Sequence, residues 1–161
     1  MKEIDFMNKG NVLGELKRSF INALLPNLPI TMKGMDDPER VFNFFSGRTW
    51  MDIINTLDLS KDAYALDLGV GFLDRKDFLY YIPLYIYASL LNRTEFRVFE
   101  ADFIQYYLCP DHQNSDCFLN FVLGLTDEQL NIISRFMKWE SDVNKLSFAK
   151  KAYIDFWDLY L

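Results

Sequence analysis

The chain has 161 residues, and its 17 basic and 23 acidic side chains give a formal net charge of −6. This length is typical of one domain. The chain has no basic stripe interleaved with aromatics, so the sequence argues against a nucleic acid partner. The excess of acidic residues favours a basic protein partner. The first twelve residues carry acidic side chains and no apolar run long enough for a signal peptide, so the sequence predicts a cytoplasmic protein.

The first part of the chain predicts four helices. They span residues 12–25, 38–46, 50–57 and 60–66. The first is amphipathic, with Leu13, Leu16, Phe20 and Leu24 on one face, and Pro26 ends it. Asp37 and Pro38 pair a favoured N-cap with a proline at the first helical position. Thr49 and Ser60 are the predicted N-caps of the last two helices.

Two glycines, Gly69 and Gly71, follow the fourth helix. A phosphate-binding loop of the glycine-rich type needs a third glycine at a set spacing and a preceding strand. Neither is present here, so the two glycines predict a flexible turn that leads into the next helix.

The stretch from Phe72 to Leu91 carries the densest run of large apolar side chains in the chain. Asp74 is its predicted N-cap. The following residues are apolar on every face, which is typical of a central, buried helix. Pro83 has no amide and crowds the carbonyl of Leu79, so we expect a kink there or two short helices that meet just before it. The run is shorter than the roughly 20 residues that span a bilayer, so it predicts no membrane helix.

Four more helices are predicted after this stretch. They span residues 95–108, 118–123, 127–138 and 146–160. Thr126 and Gln129 form a capping box at the start of the third. The chain shows no sustained strand alternation, no internal repeat and no linker. We therefore predict an all-α fold of seven to nine helices, with residues 1–161 in a single domain packed around a kinked central helix near Pro83.

The segments TWMDI, FLDRKDFLYYIPLYIYASL and FLNFVLGLTDEQLNIISRFMKW carry a family resemblance in this order. Together they resemble DUF6714, a family of uncharacterised bacterial helical domains, over residues 49–139. The residues that match its pattern are Trp50, Phe72, Leu73, Phe78, Tyr80, Tyr81, Pro83, Tyr85, Leu125, Thr126 and Gln129. Ile82 and Leu84 replace the family's Leu and Ala. The resemblance implies no catalytic residue, and small acidic relatives of this kind are suspected to act as immunity proteins beside bacterial toxins.

Cys109, His112 and Cys117 are the strongest candidates for reactive chemistry. Two thiolates, one imidazole and a neighbouring carboxylate could bind zinc. The spacing C-x2-H-x4-C lacks the second ligand pair of a structural zinc motif. A disulfide between the cysteines and thiol catalysis with His112 are further alternatives, but two free thiols and an exposed loop histidine are the more common arrangement in a cytosolic protein. We therefore predict no cofactor.

Four tyrosines surround the predicted kink and could line a ligand pocket. They are Tyr80, Tyr81, Tyr85 and Tyr87. Tyrosines of this kind more often belong to the core, where each hydroxyl finds a hydrogen-bond partner. The cluster is therefore a candidate binding site and equally a candidate structural core.

The leading functional hypothesis is a non-enzymatic interaction protein. It would be an immunity-type inhibitor that binds and neutralises a basic partner such as a bacterial toxin through an acidic, aromatic-rich surface. One alternative is a small metal- or thiol-dependent enzyme that uses Cys109, His112 and Cys117. The other is a small-molecule-binding helical domain that uses the tyrosine cluster. The oligomeric state does not follow from the sequence.

Overall fold

The computed structural model of the chain describes residues 4–21, 23–29, 32–91, 98–112 and 115–161, without the side chains of residues 112 and 115. Every regular element within these residues is helical, which confirms the all-α class. The α-helices are α1 Lys9–Ser19, α2 Asp36–Phe45, α3 Trp50–Thr56, α4 Leu59–Phe72, α5 Arg75–Ser89, α6 Val98–Phe103, α7 Ser115–Leu123, α8 Asp127–Trp139 and α9 Ser147–Asp155. Single π-helical turns, Ile104–Leu108 and Glu140–Asn144, follow α6 and α8, and a 3₁₀ turn, Trp157–Tyr160, follows α9. Within the described part, no helix is long and apolar enough to cross a membrane.

The backbone divides into two compact units. The terminal unit combines residues 1–21 with residues 103–161, and the central unit comprises residues 22–102. Each unit is described below by itself. The single domain over residues 1–161 stays a prediction.

The central unit is built on α5, whose apolar faces are covered by neighbouring helices of the same unit. Every residue from Tyr80 to Ile86 is buried. The Asp74 side chain caps the helix by accepting from the Asp77 amide at 2.8 Å, as predicted. The helix runs without interruption from Arg75 to Ser89 with Pro83 inside it, so the expectation of two short helices is wrong. The kink at Pro83 stays a prediction.

Helix α4 also differs from its prediction. It begins at Leu59, and the Asp58 carboxylate rather than Ser60 caps it, accepting from the Ser60 amide at 3.1 Å. It continues to Phe72, so the predicted turn at Gly69 and Gly71 is wrong. Gly69 lies where α4 faces the aromatic rings of α2 and α5, and a long-range packing requirement of this kind overrides the low helix propensity of glycine.

The terminal unit packs around α8, which contacts α1, α9 and the 3₁₀ turn after α9. Trp157 in that turn is fully buried, and its indole nitrogen donates to the Leu108 carbonyl at 2.6 Å. The Ser134 hydroxyl of α8 donates to the Trp157 carbonyl at 2.7 Å. These two hydrogen bonds fasten the end of the chain to α8 and to the π-helical turn after α6.

Helix α1 is shorter at its C-terminal end than predicted. It ends at Ser19, with Phe20 as a buried C-cap residue, and not at Leu25. Leu24 was expected on the apolar face, but it is 91% exposed. A helix is stabilised mainly by packing of its apolar stripe, and Leu24 has no such packing.

Candidate functional site

Two of the four candidate tyrosines are core residues. Tyr81 and Tyr85 are fully buried. The Tyr81 hydroxyl donates to the carbonyls of Phe45 and Arg48, with oxygen–oxygen distances of 2.9 and 3.0 Å, and so binds the end of α2 to α5. The Tyr85 hydroxyl donates to the Leu66 carbonyl of α4 at 2.7 Å. Burial raises the pKa of Tyr81 well above its ordinary value. Both hydroxyls hold helices together.

The other two tyrosines are less deeply buried than Tyr81 and Tyr85. Tyr80 is 7% exposed, and its ring meets that of Tyr81 edge to face with centroids 4.9 Å apart. Burial raises the pKa of Tyr80 as well. Tyr87 is half-buried. The structure thus brings the four residues together on α5, but ligand binding by this cluster stays a prediction.

The two cysteines lie in different environments. The Cys109 thiol is buried and contacts the Phe148 carbonyl at 3.8 Å, whereas Cys117 is exposed. Both are free thiols. Burial raises the pKa of Cys109 to about 12, so its thiol is protonated near neutral pH. Metal ligands and nucleophiles must be thiolates, and this environment disfavours both roles for Cys109.

The remaining members of that candidate site are not brought together by the described residues. The side chain of His112 lies outside the described part of the chain. Asp111, which precedes it, forms an ion pair with Lys151. Among the side chains that the structure describes, no group of three histidines, cysteines or carboxylates could hold a metal ion. A site formed by Cys109, His112 and Cys117 stays a prediction.

A different feature of the terminal unit offers a concave surface. Two cavities, of about 550 and 560 Å³, lie along α8 and adjoin at Ile4 and Leu161, which line both of them. The first is also lined by Asp127, Glu128, Asn131 and Ile132 of α8, and the second by Arg135, Lys138 and Trp139 of α8. We call the two cavities together the α8 groove. Each has the size of a typical ligand or side-chain pocket.

Hydrogen bonds within the terminal unit hold the first cavity in shape. Thr126 and Gln129 form the predicted capping box, and the Gln129 side chain also donates to the Ser19 carbonyl of α1 at 3.0 Å. Asn131 donates to the Tyr160 carbonyl at 2.7 Å and accepts from Arg135 at 2.9 Å. The walls contributed by α1, α8 and the end of the chain are therefore fastened to one another.

The charges of the groove are unevenly distributed. At the first cavity, Glu15 forms an ion pair with Arg18 at 2.6 Å, whereas Asp127 and Glu128 are exposed and have no ion-pair partner within the described residues. The lining of this cavity is therefore net negative among the residues that the structure describes. The second cavity is lined by Asp5 and Asp142 as well as by its two cations, so its charges balance.

Apolar side chains accompany the two carboxylates. Ile132, which is buried, and Leu159, which is 79% exposed, both line the first cavity. Sequence reasoning missed this groove because its lining comes from both ends of the chain. The sequence signal for the groove is in the first turn of α8, where the capping box and two acidic residues lie together.

The residues that carry the family resemblance are mostly structural. Trp50 and Phe78 are buried, Tyr81 and Tyr85 bind helices together, and Gln129 caps α8. These five side chains contribute to the packing and hydrogen bonding of the helices.

Comparison with known proteins gives one finding. No curated protein and no solved structure matches the chain. A family model described as a family of unknown function, DUF6714, matches residues 44–161. This is more than half of the chain, and it extends the resemblance seen in the sequence at both ends. The chain therefore belongs to the DUF6714 family.

Proposed function

We propose that this protein is a non-enzymatic interaction protein of the immunity type, which binds and neutralises a basic protein partner such as a toxin. The observation that carries this proposal is the net-negative first cavity of the α8 groove, where Asp127 and Glu128 stand beside Leu159 and Ile132. The net charge of −6 supports it, because charge complementarity favours a basic partner.

The two kinds of side chain contribute differently to binding. Apolar surface removed from water supplies about 25 cal/mol per Å², and the exposed Leu159 is available for such burial. Exposed carboxylates contribute mainly to the association rate and to the choice of partner. A basic protein with an apolar projection would bury Leu159 and attract the two carboxylates.

The thiol-enzyme alternative has less support. Cys109 is buried with its thiol protonated near neutral pH, and Cys117 is on the surface. A nucleophilic cysteine needs a lowered pKa and an accessible position in the same residue. The burial of Cys109 therefore favours the interaction hypothesis over the thiol-enzyme alternative.

Capture from the native host's lysate tests the proposal. The tagged protein is incubated with lysate at low and at high salt, and bound proteins are identified by mass spectrometry. We expect one stoichiometric basic protein that is retained at low salt and lost at high salt, because salt screens exposed charges. If no basic protein is retained, or if its affinity is indifferent to salt, the proposal is wrong.

A further inference from the structure

We infer that the α8 groove binds one amphipathic helix of the basic partner, with basic residues at one end of that helix lying over Asp127 and Glu128. This inference rests on the proposed function, since it names the surface and the form of the partner that the proposed function requires.

The shape of the groove calls for an elongated occupant. Its two cavities lie in line along α8, from Glu128 in the first to Lys138 in the second. Ten residues of helix at 1.5 Å each separate these positions by about 15 Å. A single side chain is smaller than either cavity and reaches only one of them. An occupant that reaches both therefore presents apolar side chains roughly two to three helical turns apart.

The walls of the groove favour a helix over an extended peptide. Most of the wall is formed by α1, α8 and the 3₁₀ turn at the end of the chain, whose backbone groups are used in helical hydrogen bonds. Residues 4–7 and the π-helical turn after α8 complete it, and the amides of Asp5 and Met7 already donate to side-chain oxygens. The described residues contain no strand, so they offer no sheet edge to a peptide. An extended peptide would leave many of its own amides and carbonyls unpaired when buried, whereas a helix satisfies them internally.

The charges of the groove set the position of the basic residues. Asp127 and Glu128 have no ion-pair partner among the described residues, while the charges of the second cavity balance one another. Lysines or arginines of the occupant are therefore stabilised at the first cavity and gain little at the second. The occupant we infer has a basic end and a more apolar end.

A displayed library of 16-residue peptides tests this inference without a known partner. It is selected on the full chain and counter-selected on the D127K/E128K variant. We expect the enriched sequences to carry apolar residues at helical spacing, with lysine or arginine clustered at one end. Enrichment without this pattern, or no enrichment, would overturn the inference.

The best enriched peptide is then synthesised and its affinity measured by fluorescence anisotropy. A proline placed at its centre is expected to weaken binding at least about tenfold because it breaks the helix, and D127K/E128K is expected to weaken it by a similar factor. D36K/D37K is the matched control, because Asp36 and Asp37 are two adjacent acidic residues in the first turn of another helix and their reversal changes the net charge by the same amount. Equal affinity for D127K/E128K and the wild type would overturn the inference.

Failure of this inference and failure of the proposed function give different results. If D127K/E128K still captures the salt-sensitive basic partner from lysate as the wild type does, the α8 groove is not the binding surface but the proposed function stands. If the wild type captures no basic protein, the proposed function itself is wrong.

Discussion

The hydroxyl of Tyr85 lies against Gly69 so closely that a Cβ atom at position 69 would be 2.4 Å from its oxygen. The same Cβ would be 2.8 Å from the ring of Phe45. Both aromatic side chains are fully buried, and the Tyr85 hydroxyl is held by the Leu66 carbonyl. Neither neighbour can move away without disturbing α2 or α5. The glycine is therefore a packing requirement of the central unit.

Gly69→Ala is expected to destabilise the protein in spite of the higher helix propensity of alanine. Forcing a methyl group into a packed core costs about 1–3 kcal/mol. Gly71→Ala is the matched control, because it lies in the same helix with nothing within 4 Å of its added Cβ. Urea unfolding followed by circular dichroism measures both. Equal stability of the two variants would contradict this explanation.

Tyr81→Phe removes the donor that the buried carbonyl of Phe45 and the partly buried carbonyl of Arg48 share. Leaving those carbonyls without this partner is expected to lower the free energy of unfolding by about 1–3 kcal/mol. Tyr64→Phe serves as the control, because the Tyr64 hydroxyl bonds to Asp37 at the surface. We expect little change for Tyr64→Phe. A thermal unfolding series compares them with the wild type.

The buried Tyr81 hydroxyl also predicts a dependence of stability on alkaline pH. Its pKa is raised by burial in the folded state, so the unfolded chain releases this proton first as the pH rises. The stabilisation is complete below the ordinary tyrosine pKa of about 10 and is lost as the pH increases above it. Urea midpoints between pH 8 and 11 should therefore fall more for the wild type than for Tyr81→Phe. If the urea midpoints of the two proteins fall equally with pH, the proposed role of the Tyr81 hydroxyl is wrong.

The two thiols are expected to differ widely in reactivity. At pH 8 the buried Cys109 thiol, with a pKa of about 12, has roughly a thousandfold less thiolate than the same cysteine in an unfolded chain, whose ordinary pKa is about 8.5. In Cys117→Ser, the remaining Cys109 should react with a thiol reagent at least about a hundredfold more slowly than Cys117 does in Cys109→Ser. Unfolding Cys117→Ser in urea should restore fast reaction. Fast reaction of folded Cys117→Ser would show that Cys109 is accessible.

Gln129 has two separable roles in the terminal unit. It completes the capping box of α8 and donates to the Ser19 carbonyl of α1. Gln129→Glu keeps the acceptor for the capping box and loses the donor, whereas Gln129→Ala loses both. We expect losses of about 1 kcal/mol for Gln129→Glu and about 2 kcal/mol for Gln129→Ala in urea unfolding. If Gln129→Glu is as stable as the wild type, the bond to α1 contributes nothing.

The sequence by itself determined several features that depend on neighbours within one helical turn. The predicted N-caps at Asp37 and Ser60 are wrong, because Met35 is the N-cap of α2 and Asp58 caps α4. The caps at Asp74, Thr49 and Thr126 were predicted from the residues themselves, because a cap joins a side chain to an amide two or three positions away. The all-α class follows from apolar spacing that needs no knowledge of the partner helix. The burial of α5 follows from its apolar character on every face.

Only the tertiary structure decided the features that depend on residues far apart in the chain. Gly69 was predicted to lie in a flexible turn and lies inside a helix, where Phe45 and Tyr85 occupy the space that a side chain would need. Leu24 was predicted to lie on the packed face of a helix and is exposed, because no other element among the described residues covers it. The α8 groove joins Ile4 to Leu161 across α8, and its existence depends on how distant helices pack, which no local pattern encodes.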